Sequence, residues 1–148
     1  MSNFSTILDA IRSTLASTFP TKTQIPNPYA IEKNSDVFLE NGYGIMVRSA
    51  SSTILEQCRD HENRIIDILF VKRVFRVIID TDNMHSETKS LIEDTLTFKK
   101  IMLSNNQLGI DSNLEQITLQ SDSGVNFVFA NEFNFLYSIV SFNVQYSY

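Results

Sequence analysis

Phe4, Ile7, Leu8, Ile11 and Leu15 recur at helical spacing with Asp9, Arg12 and Ser13 between them, which predicts an amphipathic helix over residues 3–18. Ser2 or Asn3 can cap its start, and Pro20 stops it. Three prolines in the following stretch, Pro20, Pro26 and Pro28, resist both helix and central strand, so residues 19–36 read as an extended loop suited to contact with a partner. From Asp36 the period changes to that of β structure. "DVFLENGYGIMVRSASS" predicts a short strand, a turn at Asn41-Gly42 and a second strand through Ile45 and Val47. "ILEQCRDHEN" is charged and reads either as a turn or as the start of the next strand.

The strongest β signal is "RIIDILFVKRVFRVIID", Arg64 to Asp80. Ile66, Ile68, Phe70, Val74 and Ile78 share one phase and Leu69, Val71, Phe75, Val77 and Ile79 the other, so both faces are expected to be covered and the strand to be central. Asp82 or Asn83 then caps a second helix that runs to about Leu103, with an apolar face of Leu91, Ile92, Leu96, Phe98 and Met102; Lys99 and Lys100 lie at the negative end of its dipole. After a loop at 104–113, Ile117 and Leu119 alternate, Asp122-Ser123-Gly124 turns, and Val125, Phe127 and Phe129 resume, the pattern of a hairpin.

The last stretch, "FNFLYSIVSFNVQYSY", does not keep one phase. Phe133, Phe135, Tyr137 and Ile139 share one parity, whereas Val140, Phe142, Val144, Tyr146 and Tyr148 share the other. A bulge near 137–140, or two halves used separately, would accommodate the switch. Taken together the elements predict a single α+β domain over 1–148: a mixed, mainly antiparallel sheet of about five to six strands flanked by two α-helices.

Composition narrows the chemistry. A chain of 148 residues can bury a real core, and no apolar run approaches the ~20 residues needed to span a bilayer. The N-terminus lacks the basic, apolar and cleavage regions of a secretory signal, so the chain reads as soluble and made inside the cell. Cys58 is the only cysteine, which rules out an intrachain disulfide. Twelve Lys+Arg stand against 17 Asp+Glu, a net charge of −5 that suits phosphate binding poorly. No cation follows Lys100, while Asp111, Glu115, Asp122 and Glu132 do, so the last third holds four of the five net negative charges.

Three clusters are candidates for chemistry. Asp80, Asp82, His85 and Glu87 follow the long strand and could hold a metal or form an acid–base pair, as in a small metal-dependent enzyme; the plainer reading is a capped strand-to-helix turn. Cys58 and His61 form C-x-x-H, half of a zinc site whose second half is missing. Lys72, Arg73 and Arg76 surround Phe75, but only Lys72 and Arg76 share a face, which suits helix or subunit contacts better than nucleic acid. With four glycines there is neither a Walker loop nor a dinucleotide fingerprint, and no serine sits in a nucleophile-elbow context. No catalytic, cofactor-binding or metal residues are therefore assigned.

The element order and the C-terminal third resemble the tail terminator (tail completion) proteins of long-tailed bacteriophages. The features that carry the likeness are the N-terminal helix before a proline-marked loop, the long strand "RIIDILFVKRVFRVIID", the single helix after it, and "ITLQSDSGVNFVFANEFNFLYSIVSFNVQY"; the likeness runs from about Phe4 to Tyr146. It implies a non-enzymatic virion protein, assembled in the host cytoplasm. Its ring, usually of six subunits, caps the head-proximal end of the tail tube. The implied partners are the tail tube protein, a head-completion or connector protein, and the sheath where the tail is contractile. Genomic DNA passes through without sequence-specific binding, and no membrane, metal or cofactor is involved. A head–tail adaptor or stopper of the same particle is the neighbouring reading. Within such a ring an acidic lumen would repel DNA, and an adjoining subunit would cover the surplus apolar face of the last strand, where tyrosines suit a wet edge.

Overall fold

The structure, a computed structural model, describes residues 3–26, 28–30, 40–56, 59–74, 81–104, 114–130 and 133–147. It is an α+β fold with two helices on one face of a mixed, mostly antiparallel, open six-stranded sheet. Helix α1 spans Asn3–Thr18, β1 Thr23–Gln24, β2 Asn41–Glu56, β3 Arg59–Val74, α2 Thr81–Met102, β4 Leu114–Asp122, β5 Asn126–Ala130 and β6 Phe133–Ser147. The sheet order is β1-β2-β3-β6-β4, with β5 also on β6.

As the two-phase apolar pattern predicts, β3 is central, held between β2 and β6. It starts at Arg59, so the charged segment 54–63 ends one strand and opens the next; residues 75–80 lie outside the described residues. On the helix side Ile66, Ile68 and Phe70 are fully buried with Ile7, Ile11 and Leu15 of α1, Leu91 and Phe98 of α2, and Val140, Phe142 and Val144 of β6. On the other side Leu69 and Val71 join Ile25, Met46 and Phe135 in a second, smaller cluster. An aromatic series ties the layers together. Phe19 meets Phe70 at 5.4 Å, Phe70 meets Phe98 at 6.1 Å and Phe98 meets Phe142 at 5.9 Å, each edge to face.

The proline-marked loop contains more order than expected. Thr23–Gln24 pairs in parallel with Gly42–Tyr43, and Pro28–Ala30 forms a 3-10 turn. Pro28 packs so tightly on Gly44 that a Cβ there would lie 2.7 Å from the proline ring, so only glycine fits without moving the loop. The expected turn at Asn41-Gly42 is not a turn. Both residues are in β2, opposite Lys72 and Val71, because pairing with β1 on one side and β3 on the other outweighs the local turn preference. The short strand expected from Asp36 falls outside the described residues.

Lys22 anchors this region. Its side chain is 4% exposed, and its ammonium lies 3.0 Å from the Asp94 carboxylate, donates to Asn41 Oδ1 at 2.7 Å and stands over the rings of Phe19 and Phe70. It therefore joins the end of α1, the start of β2 and the middle of α2. Lys22→Ala strands a partly buried carboxylate and an amide, and urea unfolding is expected to show a loss of about 2 kcal/mol. That is less than the ~3–5 kcal/mol for a fully buried pair, since water still reaches Asp94. A loss too small to measure would show that Lys22 does not anchor the fold.

Two further expectations are corrected. Helix α2 begins at Thr81, so Asp82 and Asn83 sit in its first turn instead of capping it, and Asp82 there favours the positive end of the dipole. Its buried stripe is Leu91, Thr95, Phe98 and Met102; the Thr95 hydroxyl is satisfied by the Ile92 carbonyl at 2.8 Å, which lets a polar residue take the central place. Ile92 and Leu96, expected to be inside, lie one row round the helix and are exposed.

The expected 117–129 hairpin does not form either. Strands β4 and β5 both run antiparallel to β6, end to end along the same edge: Leu114–Asp122 pairs with Val140–Tyr146 and Asn126–Ala130 with Phe133–Tyr137. Residues 122–125 step sideways instead of reversing. Gly124 adopts φ 71°, its N–H donates to Asp122 Oδ1 at 2.8 Å, and Ser123 exchanges ladder-like bonds of 2.9 Å with Ile139. The turn chemistry is thus as read from the sequence, but the long edge of β6 keeps both flanking segments in line.

Lys99 of α2 pairs with Asp122 at this step. Partial burial raises the Asp122 pKa, but the hydrogen bond from Lys99, that from the Gly124 N–H and the Lys99 charge outweigh it, leaving the group below its ordinary 3.8. A depressed folded-state pKa contributes stability that is present above the unfolded value and lost as pH falls through the folded one. Thermal melts should therefore show Asp122→Asn costing under about 1 kcal/mol at pH 7 and losing that cost once the pH is below the lowered folded-state value, both side chains being partly solvated. An equal cost at both pH values would assign the effect to the turn geometry alone.

Candidate functional site

The helices occupy one sheet face; the other carries the most organised polar side chains. Strands β3 and β6 pair without interruption from His61↔Ser147 to Val74↔Asn134, so the expected bulge within β6 is absent and its two halves instead use opposite faces. Leu136, Val140, Phe142, Val144 and Tyr146 point to the helices. Phe135, Tyr137 and Ile139 point away, into the second cluster. Beyond them on the helix-free face the odd positions turn polar: Ser141, Asn143 and Gln145 on β6 beside Asp67, Asn63 and His61 on β3.

Two small networks hold this surface. Arg48 Nε lies 2.6 Å from Asp67 Oδ2, Ser141 donates to the other oxygen of the same carboxylate, and Arg48 reaches Ser141 Oγ at 3.4 Å. His61 Nδ1 lies 2.7 Å from Glu115 Oε1, and Gln145 donates to Glu115 Oε2 at 3.1 Å. Glu115 reaches them because it is the extra residue between the Leu114↔Tyr146 and Gln116↔Gln145 pairs, and a bulge re-aims a side chain. Ser141 has no histidine beside it in these bonds, and its acceptor is already neutralised by arginine. The result is a nearly charge-balanced polar surface in which the buried Asn143 Oδ1 has no hydrogen-bond partner among the described residues, not an activated nucleophile.

The clusters singled out in the sequence are placed differently. Asp82 and His85 stand exposed on the first turns of α2, and Asp80 is outside the described residues. Glu87 lies 2.8 Å from Lys72 Nζ, which also donates to Ser90 at 3.3 Å, so Lys72 links β3 to α2. Arg73 points to the opposite face, as its parity predicts, with its guanidinium 3.6 Å above the Phe133 ring; Phe75 and Arg76 are outside the described residues. His61 serves Glu115, and Cys58 is outside the described residues. Among the described residues no three His, Cys, Asp or Glu side chains gather to hold a metal, and no helix is long and apolar enough to cross a membrane.

The other exposed feature is the sheet's pair of edges. Beyond β1, the described residues give β2 no ladder partner on its outer side from Arg48 to Glu56, and only the Tyr29 hydroxyl, accepting from the Val47 N–H at 3.1 Å, covers the edge before that. On the far side β6 is the ladder partner of β4 and β5 among the described residues. Beside that edge, on the helix face, Ile92, Leu96 and Leu103 of α2 and Leu119, Phe127 and Phe129 of the strands are exposed, Phe129 by 61%. The polar row on β6 was legible as a period-2 pattern; the unpaired edges were not, because pairing partners are not written in a strand's own residues.

No protein-family model matches the chain, and no curated protein matches it.

Proposed function

We propose that this is a structural, non-enzymatic virion protein: a tail terminator whose copies form a ring, in the order of six, at the head-proximal end of a phage tail tube. The observation that supports this reading best is the open sheet, with exposed apolar side chains beside one of its edges. Monomeric proteins ordinarily blunt such edges and break up such patches. The likeness of the C-terminal third to tail terminators gives the assembly its place in the particle, between tail tube and head-completion protein, with the sheath as a further partner where the tail contracts.

The helix-free polar face suits a DNA conduit, since its Arg48 is matched by Asp67 and its His61 by Glu115. The acidity of the last third has a narrower part in this than its charge count implies. Of the two acids among the described residues, Glu115 lies on this face and Asp122 pairs with Lys99; Asp111 and Glu132 are outside the described residues. Native mass spectrometry and sedimentation of the purified protein, with immunodetection on purified tails, test the reading. A closed oligomer present in particles is expected; a strict monomer at every concentration, absent from particles, would overturn it.

A further inference from the structure

We propose that two free copies of this chain pair about a two-fold axis, α2 against α2 in antiparallel sense, and so close an apolar trough that runs beside the β4–β5 edge. The trough has a wall and a floor. On α2 and at its end, Ile92, Leu96 and Leu103 lie about 100° round the helix from the buried stripe of Leu91, Thr95, Phe98 and Met102. Lys99 stands in the same row and pairs with Asp122, which fixes that side of the helix as the one over β4. In the floor, Leu119 is opposite Phe142 and Phe127 opposite Leu136, so both project on the helix side of the sheet, and Phe129, two residues on from Phe127, does the same.

These six side chains are each 41% to 61% exposed. Side chains of this size, half exposed, leave about 100 Å² apiece, so together they present on the order of 600 Å² of apolar surface. That is the upper end for the largest patch of a monomer, and it approaches the roughly 800 Å² that each partner gives to a stable contact. The charges on the rim identify the partner as a second copy. Lys89, Leu96 and Leu103 recur every seven residues, with Ile92 and Lys99 beside them at the second seam position and Glu93 and Lys100 on the flank. Glu93 and Lys100 are exposed, and neither has an ion-pair partner among the described residues. In an antiparallel helix pair the same flank of the two helices comes together. An axis close to Leu96 therefore sets each Glu93 against the partner's Lys100, twice over, and brings Ile92 level with the partner's Leu103. Lys99 fits within this seam because Asp122 takes its charge and its stem is apolar.

An isologous contact closes at two copies and cannot be repeated round a ring, so this pairing belongs to the unassembled subunit. It uses the same exposed patch that supports the ring reading, and it keeps that patch covered until assembly.

Sedimentation equilibrium of the purified protein is expected to show a dimer. Glu93→Lys and Lys100→Glu, each alone, set like charges together at both contacts and should weaken the dimer about tenfold at low salt. Both side chains are exposed, so the melting temperature of the separated subunit should not change. Mixed in equal amounts, the two variants should pair with each other as tightly as the native protein pairs with itself, since each then offers the charge the other lacks. Leu96→Asp, at the centre of the seam, should abolish the dimer. A free subunit that is monomeric at every concentration, a dimer that tolerates Leu96→Asp, or a mixture that pairs no better than the single variants would overturn the proposal. Rings on purified tails beside a monomeric free subunit would remove the pair and leave the ring reading; a dimer absent from particles would remove the ring reading and leave the pair.

Discussion

A chain cut after Ser141 is expected not to fold: no cooperative thermal or urea transition, and a far-ultraviolet spectrum lacking native β signal. The cut removes Phe142, Val144 and Tyr146, which are buried against both helices. It also removes half of the ladder to β3, from His61↔Ser147 to Ile66↔Phe142, and most of the partner of β4. Losing one buried aromatic costs about 3–5 kcal/mol and total stability is only about 5–15 kcal/mol, so three buried side chains and a central strand half exceed what the remainder can sustain. A truncated protein that unfolds cooperatively, or that still forms rings, would refute the central role of β6.

The second large effect is expected at Phe98. Its ring touches both Phe70 and Phe142, so Phe98→Ala opens a cavity where β3, β6 and α2 meet and should cost about 3–5 kcal/mol in urea unfolding. Phe98→Leu fills most of that space and should recover more than half of the loss. Because the three rings form one contact series, the Phe98→Ala and Phe142→Ala losses should not add; a double-mutant cycle giving simple additivity would mean the rings pack independently.

Much of this arrangement is visible in the sequence, and what is not has a common cause. Helix α1 and strand β3 are legible because their patterns are set by burial within the element: one apolar stripe in the first case, two covered phases in the second. Asn41-Gly42 and Asp122-Ser123-Gly124 both carry turn chemistry, yet the first is extended and the second only shifts sideways. In each case a neighbouring strand, β3 or β6, supplies hydrogen bonds that local preference cannot anticipate. Ile92 and Leu96 look like core on a helical wheel but flank the stripe that meets the sheet. Of the chemical candidates, Lys72, His61 and Glu87 are absorbed by ion pairs whose partners lie far along the chain, such as Glu115 for His61. Spacing alone cannot show that.

The position of β6 also sets the order in which the protein can be completed during synthesis. The β2–β3 hairpin and both helices emerge from the ribosome first, yet β3 then has one long edge open until residues 133–147 follow. The partners joined at that moment, His61 with Ser147 at one end and Val74 with Asn134 at the other, are separated by 60 to 86 residues, contacts that form slowly. Nascent chains stalled before Phe133 should thus be protease-sensitive and prone to capture by chaperones. The sheet becomes a single cooperative unit only when its penultimate neighbour in space arrives as its last strand in time.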